Sequence, residues 1–562
     1  MPEIAARPVD EAACERLVAA GIDARLARLF AARGVASAAE LAPTLKSLIA
    51  PDRLAHVDEA ARLLADAIAK RERLLIVADY DADGATACAV GVRALRSMGA
   101  IVEYLVPNRF EHGYGLTPEI VREAAQRKPD ILITVDNGIA AVEGVAEAAR
   151  LGIRVLVTDH HLPGAERPHA ECIVNPNQAG CGFPSKSLAG VGVIFYVMLA
   201  LRAELRKRGA FTASAQPPLS DLLDIVALGT VADVVRLDAN NRILVAQGLA
   251  RIRGGKACPG IAALLDLAGR SARRATVYDL GFVVGPRLNA AGRLKDMSLG
   301  IECLLATDAE LAMAHARKLD KLNRERRDIE GGMQESALAM LDGIDAGDGY
   351  TLSIHDPGWH AGVVGLLASR LKDRFHRPVF AFAADGTERL KGSGRSIAGL
   401  HLRDALDLID KRNPGLLEKF GGHAAAAGVT LAPGALEKFR AAFESVAREL
   451  LTPADLELRI ETDGELRAEA ITFEFAQLLR HTVWGQGFPE PRFAGRFAVE
   501  AQRTVGERHA RLTLNLGGRR FSAMRFGSAE PLPAALSAVY RLDVNEYQGA
   551  ETLQLTIEYC AP

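Results

Sequence analysis

The sequence predicts an α/β protein in four parts behind a short helical lead: a parallel-sheet domain, a long connecting helix, a second α/β domain and a C-terminal antiparallel β-barrel. Three observations predict it. Short β-branched apolar runs alternate with amphipathic helical stretches through residues 56–306, a charged stretch without proline follows, and beyond residue 450 the pattern turns to short alternating strands broken by Gly-Gly and Pro. A chain of 562 residues also exceeds what one core organises, since domains run to roughly 100–200 residues. The expected segments are 1–55, a helical N-terminal segment; 56–306, the parallel-sheet domain; 307–345, the connecting helix; 346–450, the second α/β domain; and 451–562, the barrel.

The elements follow in order. Residues 1–55 carry Ala, Leu and Arg at helical spacing and break at Pro51. The runs LLIVA (74–78), IVEYLV (101–106), ILITV (131–135) and RVLVT (154–158) are continuously apolar rather than alternating. Strands of that kind belong to a parallel sheet covered on both faces. In the connecting stretch Leu319, Leu322, Ile329 and Met333 recur at helical intervals, and ten of the fourteen residues 317–330 are charged. About 35 helical residues would span roughly 50 Å, enough to bridge two lobes and leave a cleft. A solvated face explains the charges; the alternative is a face turning Lys321, Arg324 and Arg327 to a polyanion. A Gly- and Asp-rich joint at 343–349 leads to strands expected near 350–354 and 379–382.

Composition narrows the function. Hydrophobic residues make up 49% and charged residues 25% of the chain, the proportions of a folded soluble protein. The formal charge of −2 announces no global field for a polyanion, so any nucleic-acid surface must be local. The longest uncharged apolar stretch, 187–201, is too short to cross a membrane and reads as a buried helix. The N-terminal residues have acids where an export signal needs an apolar core, and the seven scattered cysteines form no C-x-x-C pair. A cytoplasmic protein with free thiols and no membrane contact is expected.

The strongest signal is the placement of the acids. The first strand runs into Asp79-Tyr80-Asp81-Ala82-Asp83-Gly84, the third ends in Asp136-Asn137-Gly138 and the fourth in Asp159-His160-His161. Ligands bind beyond the carboxyl ends of the strands of open parallel sheets. One aspartate after a strand is ordinarily a helix N-cap. Several converging on one edge would repel each other and rise in pKa unless cations neutralised them. Oxygen ligands with imidazole suit Mg²⁺ or Mn²⁺, with histidine favouring Mn²⁺. No glycine fingerprint for a bare phosphate is present. A further acid, Asp233, lies in LGTVADVV; its spacing alone would not single it out.

With that triplet and the two preceding motifs in order, and with Gly229-Thr230-Val231-Ala232-Asp233 after them, the chain resembles the DHH phosphoesterase superfamily. Residues 285–293 (GPRLNAAGR), 392–396 (GSGRS) and 421–428 (GGHAAAAG) look like the accessory DHHA1-like domain that follows DHH domains. With the length and the terminal β unit, the resemblance covers residues 50–562 and reaches to the bacterial 5′ to 3′ single-strand DNA exonucleases of that superfamily. It implies that Asp79, Asp81, Asp83, Asp136, His160 and Asp233 supply ligands to two Mn²⁺ or Mg²⁺ ions, with Asp136 as bridge. Asp159, His160, His161 and Asp136 are then the catalytic group, with His161 contacting the scissile phosphate or acting as an acid beside the metals. Which of the three acids of the first motif touch metal stays open.

For substrate, Arg395 between Ser393 and Ser396 in a glycine-rich loop offers a fork for a terminal phosphate; Arg109, Arg287, Asn289, Arg293 and His423 are further candidates. Such loops are often plain turns, and His423 and His360 taken alone read as core histidines. In the terminal unit Arg492, Arg496, Arg503, Arg508, Arg511, Arg519, Arg520 and Arg525 face only Glu500 and Glu507, a local charge of +6. Phe493, Phe497, Phe521 and Phe526 interleave with them. Arginine and phenylalanine on an outward face suit an OB-like barrel that stacks bases and tracks a backbone; core phenylalanines beneath a solvated face are the alternative. The resemblance implies a hydrolase releasing 5′-mononucleotides from single-stranded DNA in repair and recombination, with a single-strand-binding protein and a helicase as partners; a monomer is expected. The competing readings are a DHH hydrolase of pyrophosphate, short oligonucleotides or cyclic dinucleotides, and a catalytically silent single-strand-binding protein.

Overall fold

The computed structural model describes residues 2–107, 115–212, 214–341, 349–384, 389–506, 508–547 and 550–561. Arg109 and most of the 343–349 joint lie outside the described residues. The chain gathers into two compact units, one of Ala6–Lys321 with Glu461–Pro562 and one of Met1–Ala5 with Leu322–Ile460.

In the first unit, strands β1 (Arg73–Ala78), β2 (Ile101–Leu105), β3 (Ile131–Val135), β4 (Arg154–Thr158) and β5 (Cys172–Val174) form a sheet of order β2-β1-β3-β4-β5. Every pairing in it is parallel. The apolar runs are buried from Leu74 to Ala78 and throughout β3, as strands covered on both faces require. The stretch read as a buried helix is the helix Gly190–Lys207, with Val191 to Met198 buried. Among the described residues no helix is long and apolar enough to cross a membrane, and all seven cysteines are unpaired.

The 33-residue helix Ala309–Leu341 realises the connecting stretch. Its buried stripe includes Leu319, Leu322 and Met333, while Lys321, Arg324 and Arg327 are exposed. In the second unit β6 (Leu352–His355), β7 (Val379–Ala384), β8 (Leu390–Arg395), β9 (Leu417–Gly422) and β10 (Ala426–Leu431) form a mixed sheet of order β9-β10-β8-β7-β6. Its core is the aromatic cluster of Phe380, Phe382, Phe439 and Phe443. The glycine-rich segment around Arg395, expected as a loop, is instead strand β8. Glycine is needed there for packing: a Cβ on Gly392 would lie 2.3 Å from Phe382 and one on Gly394 2.4 Å from Phe380.

The terminal segment closes a barrel from β11 (Phe493–Val505), β12 (His509–Leu516), β13 (Arg519–Arg525), β14 (Ala535–Tyr547) and β15 (Ala550–Ala561), in order β11-β12-β13-β15-β14. One pairing, β13 with β15, is parallel. The N-terminal helices pack against residues 461–492 of the same unit. There the buried Arg33 guanidinium pairs with Asp463 at 2.7 Å beside the Phe30, Trp484 and Phe488 rings.

Candidate metal centre

Strand register builds the site. Ala78 pairs with Val135, and Val135 with Thr158, so Asp79, Asp136 and Asp159 leave the sheet at one level. The chain passes from β1 out to β2 and returns to the other side of β1, so Asp79 and Asp136 flank the point where strand order reverses. A crevice opens at such a point. Asp81 then N-caps the helix Ala82–Ser97, its Oδ1 accepting from Asp83 N and Gly84 N at 2.9 and 3.0 Å. Gly84 permits this close turn, since a Cβ there would lie 2.4 Å from Asp79 O.

Asp83 is buried and its carboxylate accepts from Gly190 N at 2.6 Å and Val191 N at 2.9 Å. The N-terminus of the apolar helix Gly190–Lys207 thus holds a carboxylate in place with free N–H groups and a positive dipole end. Gly190 is required there because a Cβ would lie 2.5 Å from Asp136 Oδ1. Asp136 sits at φ 63°, a left-handed conformation uncommon for a residue with a side chain. Asp233 ends the helix Leu223–Ala232, and the next residue, Val234, also takes a positive φ of 62°. A β-branched residue in that region stores strain at a functional turn.

Donor atoms of three groups converge to within 4.8 Å: Asp79, Asp81 and Asp136; Asp83, His160 and Asp233; and Asp136, His160 and His161. His160 Nε2 stands 3.1 Å from Asp136 Oδ1 and 3.5 Å from Asp233 Oδ2. Both of those carboxylate oxygens are buried and accept no hydrogen bond. Burial, reinforced by Asp83 and Asp81, raises Asp136 and Asp233 well above the usual carboxylate range. Burial and the Asp81 charge push Asp83 up to about 7, against its two N–H partners. Buried carboxyl oxygens crowded without protein partners, with imidazole among them, fit hard divalent cations.

Asp159 departs from the expected rise. Burial raises it, but the His161 hydrogen bond and backbone donors outweigh that and hold it below its usual range. It accepts from Ile139 N at 2.9 Å, His160 N at 2.7 Å, His161 N at 3.1 Å and shares 2.8 Å with His161 Nδ1. Its place is therefore behind the two histidines rather than among the crowded acids. Burial opposes protonation of His161, yet the Asp159 bond and the Asp79 and Asp81 charges push it up to about 9. Asn177 and Asn175, which the sequence did not single out, donate to His160 O at 2.6 Å and His161 O at 2.9 Å and fix the triplet's backbone.

The helix Gly285–Leu294 brings Asn289 to the acids: its Oδ1 accepts from Ala82 N at 2.9 Å, so Asn289 braces the acidic turn. Arg287 pairs with Asp320 at 2.9 Å and donates to Val283 O at 2.7 Å. Arg293 is half-buried on the same helix. In the second unit Arg395 is bonded to Gly394 O at 2.7 Å and Ser393 Oγ at 3.2 Å; burial lowers its pKa. The Ser396 hydroxyl donates to Leu400 O at 2.8 Å, a structural contact that removes it from the expected phosphate fork. His423 is exposed, at the turn whose backbone bonds Ser396 N, and so is not the core histidine its sequence context alone suggests.

On the barrel, Phe521 does not face outward as expected. It alternates with Arg520 along β13, and the period of two sends its ring into the barrel core with Phe493 and Phe497. The exposed ring is Phe526, packed edge-on to His509. Arg492 pairs with Glu558 at 2.8 Å, Arg520 with Glu500 at 2.5 Å, and Arg519 donates to Ala468 O. Arg496 and Arg508 are exposed. Arg503 and Arg511 stand directly opposite each other across β11 and β12.

Known proteins share this succession of domains. Family models match at residues 73–230 (DHH family, N-terminal domain), 347–449 (DHHA1 domain) and 462–559 (RecJ OB domain). The single-stranded-DNA-specific exonuclease RecJ of Dickeya dadantii is 51% identical over 96% of both chains. That of Escherichia coli is 49% identical over 99% of this chain and 98% of its own. The crystal structure of RecJ in complex with Mn²⁺ from Thermus thermophilus superposes with a TM-score of 0.83 at 29% identity, covering 100% of this chain and 79% of that one. Likeness at half of all positions along nearly the whole length, joined to the three domain matches, places the chain in the RecJ family of DHH proteins.

Proposed function

We propose that the acidic cluster is the two-cation centre of an exonuclease that hydrolyses single-stranded DNA from its 5′ end to 5′-mononucleotides, in DNA repair and recombination. The observation that carries the reading is the convergence of Asp79, Asp81, Asp83, Asp136, His160 and Asp233 on one sheet edge, with buried oxygens of Asp136 and Asp233 that accept no hydrogen bond and share the His160 imidazole. Mn²⁺ suits this donor set best. A bound pair of ions would supply a shared water of lowered pKa and stabilisation for the leaving 3′ oxygen.

The remaining work falls to the chain's own groups. Asp136 and His160 each belong to two of the three donor clusters, and Asp136, with two carboxylate oxygens to offer, would be the residue to hold both ions. The Gly190 and Val191 N–H groups fix Asp83, and Asn289 fixes the turn carrying Asp79 and Asp81. Asp159 orients His161 through Nδ1, and the imidazole is the group that donates to a phosphate oxygen. Ser393, Arg395 and His423 are the group for a terminal phosphate, and Arg109, Arg287 and Arg293 contribute positive charge. Arg492, Arg496, Arg503, Arg508, Arg511, Arg519 and Arg520 follow the strand's backbone on the barrel. The enzyme works as a monomer, beside a single-strand-binding protein and a helicase.

The test is hydrolysis with Mn²⁺ of a 5′-labelled single strand, its matching duplex, pyrophosphate and a dinucleotide. Rapid release of labelled mononucleotide from the single strand alone is expected. Preference for the dinucleotide or pyrophosphate would overturn the reading.

A further inference from the structure

Two aromatic side chains stand on the surface of the first unit with no part in the acidic cluster. Tyr278 is 53% and Phe282 71% exposed, and no large hydrophobic residue among those described is more exposed than Phe282. Their rings stack on one another, 5.0 Å between centroids and 21° between planes. Tyr278 precedes and Phe282 lies within a π-helical turn, Asp279–Val284, a rare geometry found frequently at functional sites. Its widened turn brings residues four apart nearly one above the other, and Asp279 anchors it by accepting from Thr276 N at 2.8 Å.

The turn is fastened to the metal centre. A Cβ on Gly281 would lie 3.1 Å from Val231, and one on Gly285 3.2 Å from Ala232, the two residues that precede Asp233. The other end of the segment reaches the barrel, where Arg274 pairs with Glu546 and Glu551 at the ends of β14 and β15. Arg270 and Arg273 are exposed on the segment that leads into the turn, and Arg270 stands 3.5 Å from Asp279 at the turn's start. An exposed aromatic stack on a segment packed against the residues that lead to Asp233 at one end, and tied to the barrel at the other, is matched by one occupant: the bases of a single strand. Bases stack on aromatic faces whatever their sequence, and arginine meets the phosphate between them.

We propose that Tyr278 and Phe282 form a base-stacking subsite that receives a nucleotide of the single strand next to the metal centre, with Phe282 presenting the receiving face. The inference rests on the single-strand hydrolase reading above and adds to it a determinant of substrate affinity. A duplex offers no free base face at this point, so the subsite favours unpaired strands.

The test uses the full chain with Mn²⁺ and oligothymidylate. Phe282→Ala should raise KM about tenfold, with kcat within about twofold of wild type, the scale of one missing base stack, and Phe282→Trp should restore KM. A series of strands, each with one abasic site at successive positions from the 5′ end, supplies the readout a structural role would not move. In the wild type one position should raise KM, and in Phe282→Ala the abasic site at that position should cost nothing more. The same series read by equilibrium binding without metal keeps the inference testable if turnover fails, which is how failure of the metal-centre reading would appear. Unchanged KM and affinity in Phe282→Ala, or an undiminished abasic penalty at every position, would overturn the subsite. So would an effect confined to self-association, which would assign the rings to a second copy of the chain.

Discussion

Gly84→Ala tests whether the acidic turn is held by close backbone approach. The added Cβ would lie 2.4 Å from Asp79 O and 2.7 Å from Asp79 C, both backbone atoms at the end of a fully paired strand. Ordinary contact needs about 3.4 Å or more, so the helix Ala82–Ser97 must retreat from β1 by about 1 Å. That helix carries Asp83, and its N-cap is Asp81. Metal-ligand distances tolerate about 0.2 Å, and a misplacement of about 1 Å costs on the order of a hundredfold in rate. Overpacking should also lower stability by about 1–3 kcal/mol, a shift of a few degrees in Tm. The assay is kcat for mononucleotide release from a single strand with Mn²⁺, beside a thermal melt. Gly331→Ala is the control: nothing lies within 4 Å of its added Cβ, and it sits inside a helix, where the change should stabilise by about 0.5–1 kcal/mol and leave kcat unchanged. A Gly84→Ala protein that folds and retains wild-type kcat would refute the reasoning.

Asp136→Ala should abolish turnover while single-strand binding, which rests on the arginines, stays within a few-fold; a filter-binding titration beside the nuclease assay checks both. In chelator, Asp136→Asn should melt above the wild type, because burial and four neighbouring carboxylates penalise the Asp136 charge. With Mn²⁺ at about 100 times its Kd the order should reverse, since the wild type then gains about 2.7 kcal/mol and the variant less; calorimetry in both conditions reads this. Replacing Arg503 and Arg511 together by Gln should flatten the salt dependence of single-strand affinity by about 1.4 in slope, about 0.7 for each phosphate left without its arginine. The barrel should not lose stability, since like charges directly opposite on paired strands repel. Asn289→Ala removes the acceptor for Ala82 N, so stability should fall by about 1 kcal/mol and kcat should fall more than KM rises, as steady-state kinetics would report.

The acidic site was legible in the sequence because its main parts are local. A strand that is apolar at every position and ends in Asp reports both its burial and the direction its acid points, and the common register of β1, β3 and β4 does the rest. What could not be read depends on distant contacts. Nothing near Gly190 announces that its N–H meets Asp83, more than a hundred residues earlier, and Asn289 carries no local sign that it braces Ala82. Asp159 looked like one more crowded acid because its four donors, two of them side-chain or backbone groups of His161, appear only when the turn folds. Phe521 was misplaced for a simpler reason. Its β-period allows either face, and which face is inward is set by closure of the barrel, visible only in the pairing of β13 with both β12 and β15. The fastening of Asp279–Val284 beside Asp233 had no sequence signal beyond two aromatics four residues apart.

The central claim is that this cluster binds two divalent cations as one unit. Electron paramagnetic resonance of the full chain titrated with Mn²⁺ tests it directly. Two ions per chain with the spin coupling of a pair about 3.5–4 Å apart, lost in Asp136→Ala, is the predicted result. A single isolated ion, or a coupled pair that survives Asp136→Ala, would contradict the account.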